Sequence, residues 1–234
     1  MKFSHLAVAA ALLGCVGLKA EVPELVELVP EAKGYELIAK FNPLRWRADK
    51  YQVDRTKELS GALKRIGYLV KLTAKDGKTS WVFTSMDAFT QDPALAGVPA
   101  SGAKGFQQYV NNLEVAGNVE GLKTGKFEKG NIEIWGLNYS GSNAKKIPGA
   151  TGKYDFGDAV SGNGGYGSLQ VHNYLQKQTV FAFNNFNASG NCDLGIGNNP
   201  DAKGHPDWTF SKAGSQYKSA EIYVVGLFDK SAAK

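Results

Sequence analysis

Cysteine, histidine and methionine are scarce in this chain, and blocks of single-sign charge and long internal apolar runs are missing. Of the two cysteines, Cys15 lies in an N-terminal apolar segment. Once that segment is cut, Cys192 stands alone, so the sequence excludes an internal disulfide framework. A thiolate nucleophile needs a basic neighbour, and Asp193 beside Cys192 acts in the opposite sense, so the expected role is a buried thiol at a strand end. The three histidines are His5, His172 and His205, and the short His–His spacings of zinc sites are absent. Basic residues are scattered (Arg45/Arg47, Lys64/Arg65, Lys123/Lys126/Lys129, Lys145/Lys146) and read as solvated faces. With no basic helix and no recognisable motif, nucleic-acid binding is excluded as an expectation. Convincing helical periodicity is scarce too, with short helices expected only at Thr56–Leu63 and Met86–Phe89. No repeat or low-complexity linker divides the chain.

Lys2, the apolar stretch Leu6–Leu18 and the small residue in Leu18-Lys19-Ala20 have the pattern of a secretory signal peptide, residues 1–20. A second reading takes Leu12-Leu13-Gly14-Cys15 as a lipobox, in which Cys15 would carry lipid and anchor an outer-membrane lipoprotein. Either reading predicts export, to the periplasm or beyond; membrane contact is expected only if Cys15 is lipidated. Cleavage after Ala20 removes Lys2 and Lys19 and no acid, lowering the net charge from +5 to +3. Residues 21–33, with Pro23 and Pro30, read as an extended leader, and residues 34–230 as one domain.

That domain is rich in strand signals. Tyr35–Phe41, Asn131–Leu137, Ser168–Asn173 and Thr179–Asn184 alternate with period two, and Ala220–Phe228 is an apolar closing strand. Arg65–Thr73 and Trp81–Met86 flank Asp76-Gly77, a strong hairpin signal. The chain's 28 glycines fall mostly between these runs. Many short strands with glycine-rich turns predict an all-β fold, a β-sandwich or jelly roll.

Residues able to carry chemistry concentrate between Gly165 and Phe210. Trp208, Asp207, His205, His172, Asn173 and Tyr166 combine an aromatic surface with directional polar groups, the pairing that sugar recognition requires. Trp135, Tyr139, Tyr174 and Asn184/Asn185 are of the same types. Asp155, Asp158, Asp193 and Asn198 are hard oxygen donors that would suit a structural calcium ion, although Asp and Asn also build turns. Ser168, His172 and Asp207 are the right types for a hydrolytic triad. Ser168 lacks the Gly-x-Ser-x-Gly elbow, however, and Ser168, Gln170 and His172 would share one strand face as a polar ladder.

A longer set of motifs goes further. Ser85-Met86-Asp87-Ala88-Phe89-Thr90, Gly130-Asn131-Ile132-Glu133, Ile147-Pro148-Gly149-Ala150, Tyr154-Asp155-Phe156-Gly157-Asp158, Gly165-Tyr166-Gly167-Ser168-Leu169-Gln170-Val171-His172-Asn173, Asp193-Leu194-Gly195-Ile196-Gly197-Asn198 and Pro206-Asp207-Trp208-Thr209-Phe210 resemble a β-rich region of large secreted proteins from the Planctomycetes and Verrucomicrobia, some labelled sialate O-acetylesterases. The resemblance spans most of residues 34–228. It implies an accessory module that accompanies a catalytic esterase domain of the SGNH type. The catalytic pattern is not carried over, because Gly157-Asp158 is followed by Ala159 rather than Ser, and Asp201 to His205 is one residue too long for Asp-x-x-His.

The expected function is therefore a secreted, non-catalytic module that binds carbohydrate or a cell-surface polymer. The rival readings are a small esterase or glycan hydrolase using Ser168, His172 and Asp207, and a structural envelope protein without a ligand.

Overall fold

The computed structural model describes residues 21–45, 51–98, 106–137, 166–185, 192–198 and 213–232. Ten strands dominate these residues: β1 Glu36–Phe41, β2 Val53–Asp54, β3 Ala62–Ala74, β4 Thr79–Asp87, β5 Phe106–Gly117, β6 Gly125–Leu137, β7 Tyr166–Asn173, β8 Gln178–Asn185, β9 Cys192–Asn198 and β10 Tyr217–Asp229. They form one sheet in the order β2-β1-β10-β3-β4-β5-β6-β7-β8-β9, with every neighbouring pair antiparallel. The all-β expectation holds, and the strands belong to a single continuous sheet that curls. Among the described residues, no helix is long and apolar enough to cross a membrane.

Alternation explains the curl. One face of the sheet carries Phe41, Ile66, Tyr68, Val82, Leu113, Ile132, Leu169, Phe181, Phe183 and Ile222, all buried in one core. Covering so many apolar groups requires the two ends of the sheet to face each other. Phe41 of β1 meets Phe183 of β8 with ring centroids 5.6 Å apart. Tyr68 of β3 meets Phe181 at 5.7 Å. The buried Tyr68 hydroxyl donates to the Ala96 carbonyl at 2.7 Å, and burial pushes its pKa well up. Cys192 opens β9 and is buried in this core, as the sequence suggested.

The β3–β4 hairpin pairs Thr73 with Thr79 across the expected turn. Gly77 sits at φ +95°, a left-handed conformation that the turn demands. Asp76 supports the turn by accepting from the Lys78 N–H at 2.9 Å.

Three local expectations are corrected. The leader is not extended: Pro23–Leu28 forms helix α1, followed by a 3-10 turn at Pro30–Ala32. Pro23 is preset for a first helical turn, and the Leu25 and Val29 spacing puts two apolar side chains on one face. That face caps the outer side of β3, β4 and β10, where Val22, Leu25, Val29, Ala32 and Tyr35 pack on Leu69, Phe83, Tyr223 and Val225. Burying Leu25 completely is worth roughly 1.5–3 kcal/mol. The helix expected at Thr56–Leu63 is a turn at its start, where Asp54 accepts from both the N–H and the hydroxyl of Thr56, and strand β3 at its end. The helix expected at Met86–Phe89 begins inside β4, where Met86 pairs with Ile66 in the ladder.

Candidate functional site

The outer face of the other half of the sheet is polar. Ile132 and Ile134 of β6 and Leu169 and Val171 of β7 point into the core, so alternation turns Asn131, Glu133, Ser168, Gln170 and His172 the opposite way. Register aligns them in rows. Tyr109 of β5 lies opposite Asn131, Asn131 opposite His172, and His172 opposite Thr179 of β8. In the next rows Glu133 faces Gln170, and Ser168 faces Asn184.

These side chains are buried: Asn131 is 1 %, Glu133 2 %, Gln170 3 % and His172 0 % exposed. They bond to one another. Gln170 Nε2 donates to Ser168 Oγ at 3.2 Å and to Asn184 Oδ1 at 2.9 Å. Ser168 Oγ also donates to Asn184 Oδ1. His172 Nδ1 is 3.1 Å from Thr179 Oγ1, while its Nε2 is 3.8 Å from Glu133 Oε1. Asn131 Nδ2 donates to the Gln108 carbonyl at 3.2 Å. Three further amide atoms, Asn131 Oδ1, Gln170 Oε1 and Asn184 Nδ2, are buried with no hydrogen-bond partner among the described residues. Each such atom costs about 1–3 kcal/mol unless something satisfies it, so the row holds unused hydrogen-bonding capacity.

The row ends in two half-buried tyrosines. Tyr109 stands beside Asn131, and Tyr174 begins the 3-10 turn Tyr174–Gln176 that links β7 to β8. Lys177 closes that turn in the left-handed region at φ +50°. The result brings the two rings to 5.1 Å with a 34° tilt. Leu175, which follows Tyr174 in the turn, is 54 % accessible. Desolvation raises both phenol pKa values; the Tyr174 hydroxyl adds to the rise at Tyr109, and Glu128 adds to the rise at Tyr174. Both rings therefore stay neutral at physiological pH, with hydroxyls able to donate.

Of the residues the sequence proposed for a ligand, His172 and Asn173 lie on β7 and are both fully buried, not displayed on a loop. Tyr166 opens β7, its backbone paired with Leu137. His205, Asp207 and Trp208 lie outside the described residues. Of the candidate calcium ligands, Asp193 and Asn198 fall in β9, whereas Asp155 and Asp158 lie outside the described residues. Among those described, no three His, Cys, Asp or Glu side chains gather as a metal cluster.

Ser168 and His172 share the polar face but do not form a nucleophile–base pair. Four residues along an extended strand place them about 13 Å apart. Ser168 Oγ bonds Asn184, and His172 Nδ1 contacts Thr179. The polar-ladder reading of these residues describes what is observed.

Sequence reasoning missed Tyr109 altogether and noted Tyr174 only as an aromatic of suitable type. The pair depends on the β5–β6 register that sets Tyr109 opposite Asn131, which no local pattern in the sequence displays. No protein-family model, curated protein or solved structure matches the chain. What the geometry defines is an all-β domain with an aromatic–polar face.

Proposed function

We propose that this chain is an exported, non-catalytic module that binds carbohydrate or a hydroxyl-rich surface polymer at the Tyr109–Tyr174 end of the polar row. The observation that carries the reading is the paired, half-exposed tyrosine rings adjoining a row of buried amides. Flat apolar rings suit the C–H faces of a sugar, and the tyrosine hydroxyls supply directional bonds. Asn131, opposite Tyr109 in the ladder, is buried and anchors the platform beneath the rings through its bond to the Gln108 carbonyl. Glu133, Gln170 and His172 stiffen the platform, so little entropy is lost on binding. Export rests on the N-terminal segment. Calcium remains a proposed structural ion at Asp155, Asp158, Asp193 and Asn198.

The test is a glycan-array screen of the chain with and without calcium, beside Tyr109→Ala and Tyr174→Ala. The expected result is a specific hit that weakens at least about tenfold, or 1.4 kcal/mol, in each variant, with melting temperature unchanged. A hit present only with calcium would support the metal assignment. Full binding by both variants would defeat the site assignment, and a blank array would favour a structural envelope protein.

A further inference from the structure

A cavity lies on the opposite half of the sheet from the tyrosine pair. It measures about 420 Å³ and opens between the leader and the outer face of β3–β6 and β10, within the usual range for small-ligand pockets. Val29, Ala32 and Tyr35 form the leader wall, and Phe83, Ala116 and Leu227 form an apolar floor.

A small residue keeps it open. Ala116 sits opposite Phe83 in the ladder, and a larger side chain there would fill the void and recover packing energy. The walls are also held rigidly. Tyr35 meets Phe83 edge-on, with centroids 5.6 Å apart at 85°. Arg65 Nε donates to the Tyr35 hydroxyl at 3.0 Å, while its Nη2 donates to Ser85 Oγ at 2.8 Å and to the Asn112 carbonyl at 3.0 Å. Asp87 and Glu114 lie 3.3 and 3.6 Å from the same guanidinium. Such fixed walls lower the ordering cost of binding.

The rim sets the ligand's charge. Arg65 and Lys126 line it together with Glu31 and Glu114, and Lys126 Nζ is 3.4 Å from Glu114. The charges balance, so an ionic head would meet repulsion from one sign as much as attraction from the other. We infer that this cavity is a binding site for a small, mainly apolar, uncharged molecule. The site is independent of the tyrosine pair.

The test uses the full chain and two naphthalene dyes, the neutral N-phenyl-1-naphthylamine and the anionic 8-anilinonaphthalene-1-sulfonate. The neutral dye should bind saturably, with one site and a blue-shifted emission, at least about tenfold more tightly than the sulfonate. Ala116→Leu should weaken it about tenfold or more without lowering the melting temperature. Glu31→Lys, at an exposed position, should shift preference toward the sulfonate even if Ala116→Leu fails to fold. Tyr109→Ala should leave dye binding unchanged, which separates this site from the carbohydrate reading. Absence of saturable binding, equal or tighter binding of the sulfonate, or insensitivity to both cavity variants would overturn the inference.

Discussion

On the outer face of the sheet, β3, β4 and β10 carry Leu69, Phe83, Tyr223 and Val225, whereas β6, β7 and β8 carry Asn131, Glu133, Ser168, Gln170, His172 and Asn184. Both sets are buried, and they use burial differently. The apolar set gains from being covered by the leader and needs no directional partner. The polar set is stable only as far as its groups bond to one another, and it retains amide atoms with unused capacity. A face of the second kind is a poor way to add stability and a good way to hold donors and acceptors in fixed positions. Directional recognition of a hydroxyl-rich ligand therefore suits β5–β8, whereas the leader side offers apolar contact.

Three substitutions would break or sharpen the contrast. The largest effect is expected in the core that both halves share. Phe181→Ala removes a buried ring that contacts Tyr68 and should cost about 3–5 kcal/mol in urea denaturation. Asn184→Ala, on the polar face, strips the acceptor shared by Ser168 and Gln170. It should cost about 1–3 kcal/mol in the same assay. A cost equal to that of Phe181→Ala would mean the polar row is as much a part of the core as the rings are, and no cost would mean the network is not formed.

The smallest effect belongs to the leader's polar clasp. The Tyr223 hydroxyl donates to Glu24, and Lys71 Nζ lies 3.4 Å from the same carboxylate. Chiefly the Tyr223 hydrogen bond, with help from Lys71, holds the Glu24 pKa below the usual carboxylate value. A depressed pKa contributes stability that is complete above the unfolded value of about 4.3 and is lost as pH falls through the folded value. Glu24 is half exposed, so solvent screening limits the contribution to a few tenths of a kcal/mol. Glu24→Gln should lower the melting temperature slightly at neutral pH and flatten its acid limb. An unchanged acid limb would show that the clasp is not coupled to folding.

Strand positions and faces were largely legible in the sequence, because period-two alternation at Asn131–Leu137, Ser168–Asn173 and Thr179–Asn184 reports directly on the pleat. The Asp76-Gly77 hairpin was legible for the same local reason. In the leader two prolines suggest an extended path, whereas Pro23 at a first turn favours a helix once its apolar face has a sheet to cover. The candidate site was less legible. Ser168, Gln170 and His172 were readable as one face, but the pairing of that face with Asn131, Glu133 and Asn184 depends on register between strands far apart in sequence. The Tyr109–Tyr174 contact joins residues on β5 and a turn after β7, and no local pattern announces it. Trp208, Asp207 and His205 were favoured on composition and fall outside the described residues.

The measurement that bears most directly on the functional account is nuclear magnetic resonance of the chain with isotope-labelled tyrosine rings, titrated with the oligosaccharide that the array selects. Of the ten tyrosines, the account predicts saturable shifts at Tyr109 and Tyr174, with Tyr35, Tyr51 and Tyr68 unmoved. Shifts confined to other tyrosines, or none at saturating sugar, would contradict it.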